Sequence, residues 1–431
     1  MPKNCSKMFH IDSYYASTLA AKTSFSALNE DIEVDVCVVG GGLAGLTTAR
    51  ELLNHGKSVA LLEGNKVGWG ASGRNGGFVS DGYAEGILNL ERKLGVTHAK
   101  ALFDISREGT QYVWQNIEGF AATGQDPQYN WLNVVRHDVG NKLQKSVEKL
   151  VTTYGANYKY LSTEEVRSHL KSSSYFQGLE DQSAFHIHPL NYCVSLAADL
   201  HARGGMIFEE TQARALHKHE GHFNIETSCG TIKAGQVVLC GSAYMHNLYP
   251  KIEGAVLPVA TYVVTTKRMK EKLKQAIAFR GCISDNRRAG DYYRLIEGGD
   301  RLLWGGRITT QKSEPKQLAT LLKRDIEAIY PQLQGLEVDK AWSGLMGYCT
   351  HKMPVLAQLE PGIWAATSTG GHGLNTTAAL GIVVAEAVAG VSDRYKLFAP
   401  FKAQWTGGPV GRVATQLAYW GMQMQDKWDE R

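Results

Sequence analysis

One stretch constrains this chain more than any other: Val36-Cys37-Val38-Val39-Gly40-Gly41-Gly42-Leu43-Ala44-Gly45, followed after a second apolar run by Glu63. It reads as a buried strand, a glycine turn and the start of a helix. Gly40 permits the tight turn, Gly42 lets the backbone approach a pyrophosphate, and Gly45 lets the helix pack against the strand. The first helical turn, read at residues 46–49, aims free N–H groups and the positive end of the helix dipole at phosphates. The helix is expected to end near His55-Gly56, where glycine takes a left-handed cap. Residues 58–63 read as the next strand, with Glu63 at its tip, eighteen residues past Gly45, able to accept hydrogen bonds from both ribose hydroxyls. Strand, turn, helix, strand and acid in that order predict a dinucleotide site, and the alternative is a bland glycine loop.

A chain of 431 residues exceeds one compact core, so two domains are expected. The formal charge of +4, with no run of lysine or arginine, argues against a nucleic-acid partner. Seven scattered cysteines, none spaced as CxxC, fit a reduced cytosolic protein with neither a disulfide framework nor a zinc site. The N-terminal thirty residues lack a signal peptide's apolar stretch, and residues 378–389 are too short to span a bilayer and carry Glu386. A soluble, cytoplasmic protein is the expectation.

The predicted elements are helices at 94–120 and 142–154, then a helix at 190–201 stopped by Gly204-Gly205. Short strands at 206–209, 213–217 and 222–227 precede a buried strand at 236–240 that runs into Gly241. A strand-rich section covers 256–309 and a helix 317–330. The chain then returns to a strand at 362–366, a glycine turn and a helix at 376–389. A nucleotide-binding start and a second glycine turn so late imply a discontinuous cofactor domain. A simple NAD dehydrogenase does not need that second turn.

A further glycine loop follows Glu63 almost at once: Gly68-Trp69-Gly70-Ala71-Ser72-Gly73-Arg74-Asn75-Gly76-Gly77. Such a backbone can lie flat against a ligand and offer it N–H groups. A surface turn has no use for Arg74 and Asn75 there. Further blocks are Ser13-Tyr14-Tyr15, His186-Ile187-His188-Pro189-Leu190-Asn191, Asp291-Tyr292-Tyr293-Arg294-Leu295, Tyr330-Pro331-Gln332-Leu333 with Gly335, Trp342 with Gly344, and Gly371-His372-Gly373. With these the chain resembles, over nearly its whole length, the FAD-dependent oxidoreductases of the D-amino-acid oxidase superfamily. The resemblance is greatest to the branch that oxidises γ-glutamylputrescine.

The resemblance implies an α/β (overall α+β) architecture. A glutathione-reductase-like FAD-binding domain would take 1–93, 181–250 and 339–431. A discontinuous second domain, built on an antiparallel sheet for the substrate, would take 94–180 and 251–338. Non-covalent FAD would be held by Gly40, Gly42, Leu43, Ala44 and Gly45 at the pyrophosphate and by Glu63 and Gly64 at the ribose. Ala71, Ser72, Arg74, Asn75, Gly76 and Gly77 would line the flavin side. Ala213, in the strand read at 213–217, would hold the adenine through main-chain groups, and Gly241 would close a strand beside the cofactor. Gly370, Gly371, His372, Gly373 and Leu374 would offer N–H groups to the flavin C2 carbonyl. The related sarcosine-oxidase branch attaches its flavin to a cysteine aligned with Gly347, two residues before Cys349. It binds the substrate carboxylate with a lysine aligned with Asn375. Neither a covalent flavin nor sarcosine is therefore expected.

The implied reaction moves a hydride from the carbon beside a neutral amine to flavin N5, after which water hydrolyses the imine. Oxygen or a quinone would be the electron acceptor, and no dedicated strong base is required. A γ-glutamylputrescine-type amine is the expected substrate. The alternatives are a cyclic or N-substituted amino acid such as pipecolate, or a flavin-binding subunit without amine activity. Tyr293, Arg307 and His372 are the candidate catalytic residues. Tyr293 and Arg294 read equally as an active-site wall or as sheet packing, and Arg307 equally as a substrate contact or a surface ion pair. His186 and His188, alternating on a strand, and the run His217, His219, His222 lack a carboxylate or cysteine to complete a metal site, and Pro189 starts the next helix. Val413, Leu417, Trp420, Met424 and Trp428 form an apolar stripe on a C-terminal helix. Packing on its own domain is the default, and a membrane-surface or subunit contact the alternative.

Overall fold

The strand before the glycine turn, Ile32–Val39, buries Val36, Cys37 and Val38 completely. Val36 and Val38 enter one core and Cys37 another, because both faces of its sheet are covered. The structure, a computed structural model, describes residues 9–120, 124–287, 290–310 and 317–430.

The first sheet runs in the order Val355–Glu360, Ile363–Thr367, Thr231–Leu239, Ile32–Val39, Val59–Leu62, Met206–Phe208. All neighbours on this path are parallel except the first pair, and Phe223–Glu226 with Ala215–Lys218 continue off Thr231–Leu239. Helix Leu43–Asn54 starts directly after the glycine turn, three residues earlier than the sequence reading. It ends at His55, with Gly56 at φ 73° as expected. Helix Gly373–Ala389 packs tightly against it, since a Cβ at Gly381 would lie 2.6 Å from the Thr47 side chain. Helix Val96–Gly119 joins the same core through Ala99, Leu102, Ile105 and Val113.

The second sheet runs Val338–Tyr348, Leu257–Thr266, Arg301–Thr309, Tyr292–Ile296, Cys282–Asp285, Gln128–Val134, Gly178–His186, Phe78–Val79. It is antiparallel except where Cys282–Asp285 lies alongside Gln128–Val134. Its own core packs Leu132, Tyr175, Tyr293 and Trp304 against Leu322 and Ile326 of helix Leu318–Ile329. Val338–Tyr348 belongs to this sheet although it lies past the expected boundary at 339, because Leu257–Thr266 pairs along its length.

Three local expectations need correction. Ala213 lies in the connection before Ala215–Lys218, not in the strand. His186 ends strand Gly178–His186, whereas His188 caps helix Pro189–Ala202 by accepting from the Asn191 N–H, so the two do not alternate. The C-terminal helix Gly408–Asp429 packs on the second sheet through Gln416 and Tyr419, and its apolar stripe faces outward. Among the described residues no helix is long and apolar enough to cross a membrane.

Candidate cofactor and substrate site

The carboxyl ends of the parallel strands converge, which is where sheets of this kind bind ligands. Gly40 follows Ile32–Val39, Glu63 follows Val59–Leu62 and Gly241 lies two residues past Thr231–Leu239. Gly40 has φ 114°, and a Cβ at Gly45 would lie 1.9 Å from the Gly40 carbonyl oxygen. Only this glycine spacing lets the helix begin at once. The N–H of Leu43 donates to Ser72 Oγ at 3.0 Å, tying the second glycine loop to the helix N-terminus.

Glu63 is buried. Its Oε2 accepts from the Gly41 N–H at 2.7 Å and its Oε1 from the Asn65 N–H at 2.8 Å. Burial raises its carboxyl above the usual range, although those two donors pull the other way. Each oxygen keeps a lone pair for a further donor, which suits two ribose hydroxyls. Gly41 is a residue the sequence reading missed: a Cβ there would lie 2.8 Å from the Glu63 Cβ. Gly64 runs beside Gln212, and Thr211 N–H donates to the Glu63 carbonyl at 2.8 Å, which places the segment before Ala213 next to Glu63. Glu209, also missed, is buried and accepts from the N–H groups of Val67 and Phe25 and from Lys66 Nζ.

Residues 70–77 largely fold upon themselves. Asn75 donates to the carbonyls of Ala71 and Ser72 and accepts from the Gly77 N–H at 2.8 Å. Arg74 donates from Nε to the Trp69 carbonyl at 2.7 Å, and its guanidinium stacks over the Trp69 ring at 4.1 Å. Trp342 Nε1 donates to the Arg74 carbonyl, and Arg294 Nε to that of Gly76. These side chains shape the loop, leaving its backbone to meet a ligand.

Gly370 and Gly371 have φ 66° and 90° and lead into helix Gly373–Ala389 through His372, its N-cap. The turn and the first helical residues, Gly373 and Leu374, therefore present a helix N-terminus beside strand Val338–Tyr348, where the Gly370 N–H donates to the Gly347 carbonyl. A Cβ at Gly371 would lie 2.6 Å from the Tyr348 hydroxyl. The His372 ring is half-buried, with Nε2 at 3.2 Å from Ser80 Oγ and 3.1 Å from the Ser80 carbonyl. Burial lowers its pKa, so it is neutral at physiological pH. Asn375 donates to the Gly82 carbonyl at 3.0 Å, a packing contact.

Beside this turn stands a group of rings. Phe78 meets Trp131 edge-on at 5.8 Å and Tyr292 at 5.9 Å, and Trp131 lies 6.2 Å from His372. Trp131 Nε1 donates to Ser284 Oγ at 2.9 Å. Of the three candidate catalytic residues only His372 reaches this group. Tyr293 is fully buried in the second core, stacked on Trp304 at 4.1 Å, with its hydroxyl bonded to those of Tyr175 and Tyr330. Strand alternation turns its neighbour Tyr292 to the ring cluster instead. Arg307 makes a bidentate pair with Asp325, 2.6 and 2.8 Å, on helix Leu318–Ile329. Arg294 is buried and donates to the carbonyls of Gly76 and Ile187, the Tyr15 hydroxyl and His186 Nδ1. Because arginine only donates, His186 Nδ1 is the acceptor and its proton sits on Nε2, facing the Arg280 carbonyl.

Cys349 is buried, donates to the Ala255 carbonyl, and burial pushes its thiol up to about 11. A Cβ at Gly347 would lie 2.4 Å from Ser242 Oγ, so a cysteine at that position would have to displace the Ser242 hydroxyl. The residues present thus fit FAD. A carboxylate stands ready at the ribose position, two helix N-termini face the strand ends, and the glycine loops hold backbone where side chains would collide.

The family profile described as FAD dependent oxidoreductase matches residues 35–387. The chain is 30% identical to the probable oxidoreductase OrdL of Haemophilus influenzae, with 95% of each chain covered. It is 30% identical to the gamma-glutamylputrescine oxidoreductase of Escherichia coli, covering 96% of this chain and 98% of that one. Its fold matches the crystal structure of L-proline dehydrogenase from P. horikoshii with a TM-score of 0.72 at 18% identity, over 86% of this chain and 96% of that one.

Proposed function

Because the chain belongs to the FAD-dependent oxidoreductase family, whose members of this kind act on amines or amino acids, we propose that its own substrate is a primary amine of the γ-glutamylated polyamine type. The observation that carries this reading is the ring cluster of Phe78, Trp131, Tyr292 and His372 beside the turn at 370–373, together with the fate of the nearby arginines. Arg74 stacks on Trp69, Arg294 is bonded on all sides, and Arg307 is paired with Asp325. An α-amino acid carries its carboxylate on the carbon being oxidised, and burying that charge is costly without a cation beside it. A polyamine conjugate keeps its carboxylate many bonds away. Its methylene chain and amine suit aromatic faces. The likeness to the Escherichia coli relative, whose name carries this substrate, supports the same reading.

Bound FAD supplies the two-electron acceptor for dehydrogenation of the carbon beside the amine, and water completes the release of the aldehyde. The chain's part is to hold and dehydrate. Trp131, Phe78 and Tyr292 wall the substrate side, neutral His372 adds no charge that would repel an amine, and the helix N-terminus at Gly373 favours negative charge beside it. Electrons then pass to oxygen or a quinone.

Anaerobic mixing of the flavoprotein with a panel of amines tests the reading through bleaching of the flavin band. γ-Glutamylputrescine should bleach it fastest, with pipecolate, proline and sarcosine slow. Faster bleaching by an amine with its carboxylate on the reacting carbon would overturn it. A flavin that no amine reduces would point to a subunit without amine activity.

A further inference from the structure

The C-terminal helix Gly408–Asp429 has two unlike faces. One is fixed to the second sheet, where Gln416 Oε1 accepts from Thr309 Oγ1 and the Thr310 N–H, and Tyr419 accepts from the Ile308 N–H. The other carries Val410, Val413, Leu417, Trp420, Met424 and Trp428, exposed by 76, 61, 58, 49, 69 and 71%. The first five follow one another at steps of 3, 4, 3 and 4 residues. That seven-residue repeat is the spacing of a seam that meets another helix. No charged residue lies between Arg412 and Asp426, so nothing along the middle of the seam resists burial.

We propose that this face is covered by the same face of a second copy of the chain, the two helices running antiparallel about a two-fold axis between Leu417 and Trp420. Three features select that occupant. At ordinary side-chain sizes the six exposed fractions come to roughly 800 Å² per copy, the area that one partner contributes to a stable interface. Side chains are small in the N-terminal half (Val410, Val413, Ala414) and large in the C-terminal half (Trp420, Met424, Trp428). Antiparallel pairing sets large against small, whereas parallel pairing would crowd tryptophan on tryptophan. Charge follows the same order. Arg412 flanks the first half, and Asp426 and Asp429 the second, while Glu430 is held by Arg136 of its own chain, so opposed helices bring unlike charges and opposite dipole ends together. A lipid surface is poorly matched, because Arg412 and Lys427 are offset by Asp426 and Asp429 and leave the helix no net positive charge.

Sedimentation of the FAD-loaded protein at micromolar concentration should give twice the chain mass of 47.3 kDa. Leu417→Arg sets two like charges at the axis and should return the monomer with flavin content and turnover unchanged. Val413→Cys and Met424→Cys face each other only across an antiparallel pair. The double variant should form an intermolecular disulfide on oxidation, and neither single variant should. A monomeric wild type or a dimer that survives Leu417→Arg overturns the proposal, as does efficient cross-linking of the single variants. So does a monomer that floats with anionic vesicles and loses that property in Leu417→Arg.

Discussion

Glu63 holds the N–H groups of Gly41 and Asn65 in addition to whatever it offers a ribose, so its side chain both shapes the turn and binds. Replacing it with alanine removes two charge-assisted bonds to the ligand and loosens the donors behind them. FAD affinity of Glu63→Ala should fall by about 1–3 kcal/mol, read by titrating apoprotein with FAD and following fluorescence quenching. An unchanged affinity would remove Glu63 from the site. Arg307 is the opposite case. Its two bonds to Asp325 on a partly exposed edge make it a surface pair worth less than about 1 kcal/mol. Arg307→Ala should therefore lower kcat/KM equally and slightly for amines with near or remote carboxylates, and a loss confined to amino acids would restore it as a carboxylate anchor. The sequence offers no means of choosing between these two charges by type alone. Glu63 stands out because its signal is local, a fixed distance after a glycine turn. Arg294 was read as a sheet or wall residue because its partners, Tyr15, Gly76, His186 and Ile187, lie 107 to 279 residues away. Tyr292 and Tyr293 differ only in the parity of a strand, and two adjacent aromatic residues do not reveal which faces the ligand.

At the scale of elements, what local chemistry specifies was legible. Helix Lys142–Tyr154 has the bounds the periodicity predicts, and Leu43–Asn54 stops where Gly56 caps it. Strands Gln128–Val134, Gly178–His186 and Val338–Tyr348 were not legible. Their pairing is broken by register shifts beside Tyr129 and at Asp339, and their partners are remote in sequence. Helix Gly373–Ala389 begins three residues before its predicted start because a glycine turn gives little helical signal. Helix Pro189–Ala202 has proline at its first position, as the sequence suggests, but its cap is His188. That cap makes stability depend on pH. The His188 Nδ1 accepts from the Asn191 N–H, Nε2 lies 3.0 Å from Thr18 Oγ1, and burial lowers its pKa to about 3. An unfolded histidine takes up a proton near pH 6.5 and this folded one does not until far lower. The unfolded state thus binds more protons between those values, and stability falls as pH drops through 6.5. His188 alone should cost about 1 kcal/mol between pH 7.5 and 5.5, measured by urea unfolding. His188→Asn keeps an oxygen acceptor for the cap without the titration and should show a flatter profile. An identical slope in both proteins would assign the pH dependence elsewhere.

The whole molecule joins two sheets with separate cores, one around Val36, Leu46 and Val384 and the other around Tyr293, Trp304 and Ile326. The segments that would hold FAD come from distant parts of the chain, at 40–45, 63–64, 70–77 and 370–374, and only Leu43, Ala44 and Leu374 among them enter the first core. The backbone of the glycine turns, outside that core, is where order should depend most on the ligand. Cys349 donates to the Ala255 carbonyl and glycine stands at 347, so we expect FAD to be held without a covalent bond, and acid precipitation should release it into the supernatant. Colour left in the pellet would instead mark a covalent anchor. The apoprotein prepared by milder removal then allows a sharper test. Binding to the folded state stabilises it by about 2.7 kcal/mol at a hundredfold excess over Kd, but the protection should not be uniform. Amide hydrogen exchange should accelerate on FAD removal in the peptides spanning 40–45, 68–77 and 370–374, and recover when FAD is restored. Peptides covering Tyr292–Ile296 and Arg301–Thr309 are held by strand pairing and by the Tyr293–Tyr330 hydroxyl bond, and should change little. Equal acceleration in both groups would mean that FAD governs global unfolding. No acceleration in the first group would mean that the glycine turns are rigid by their own backbone geometry and that FAD enters a preformed cradle.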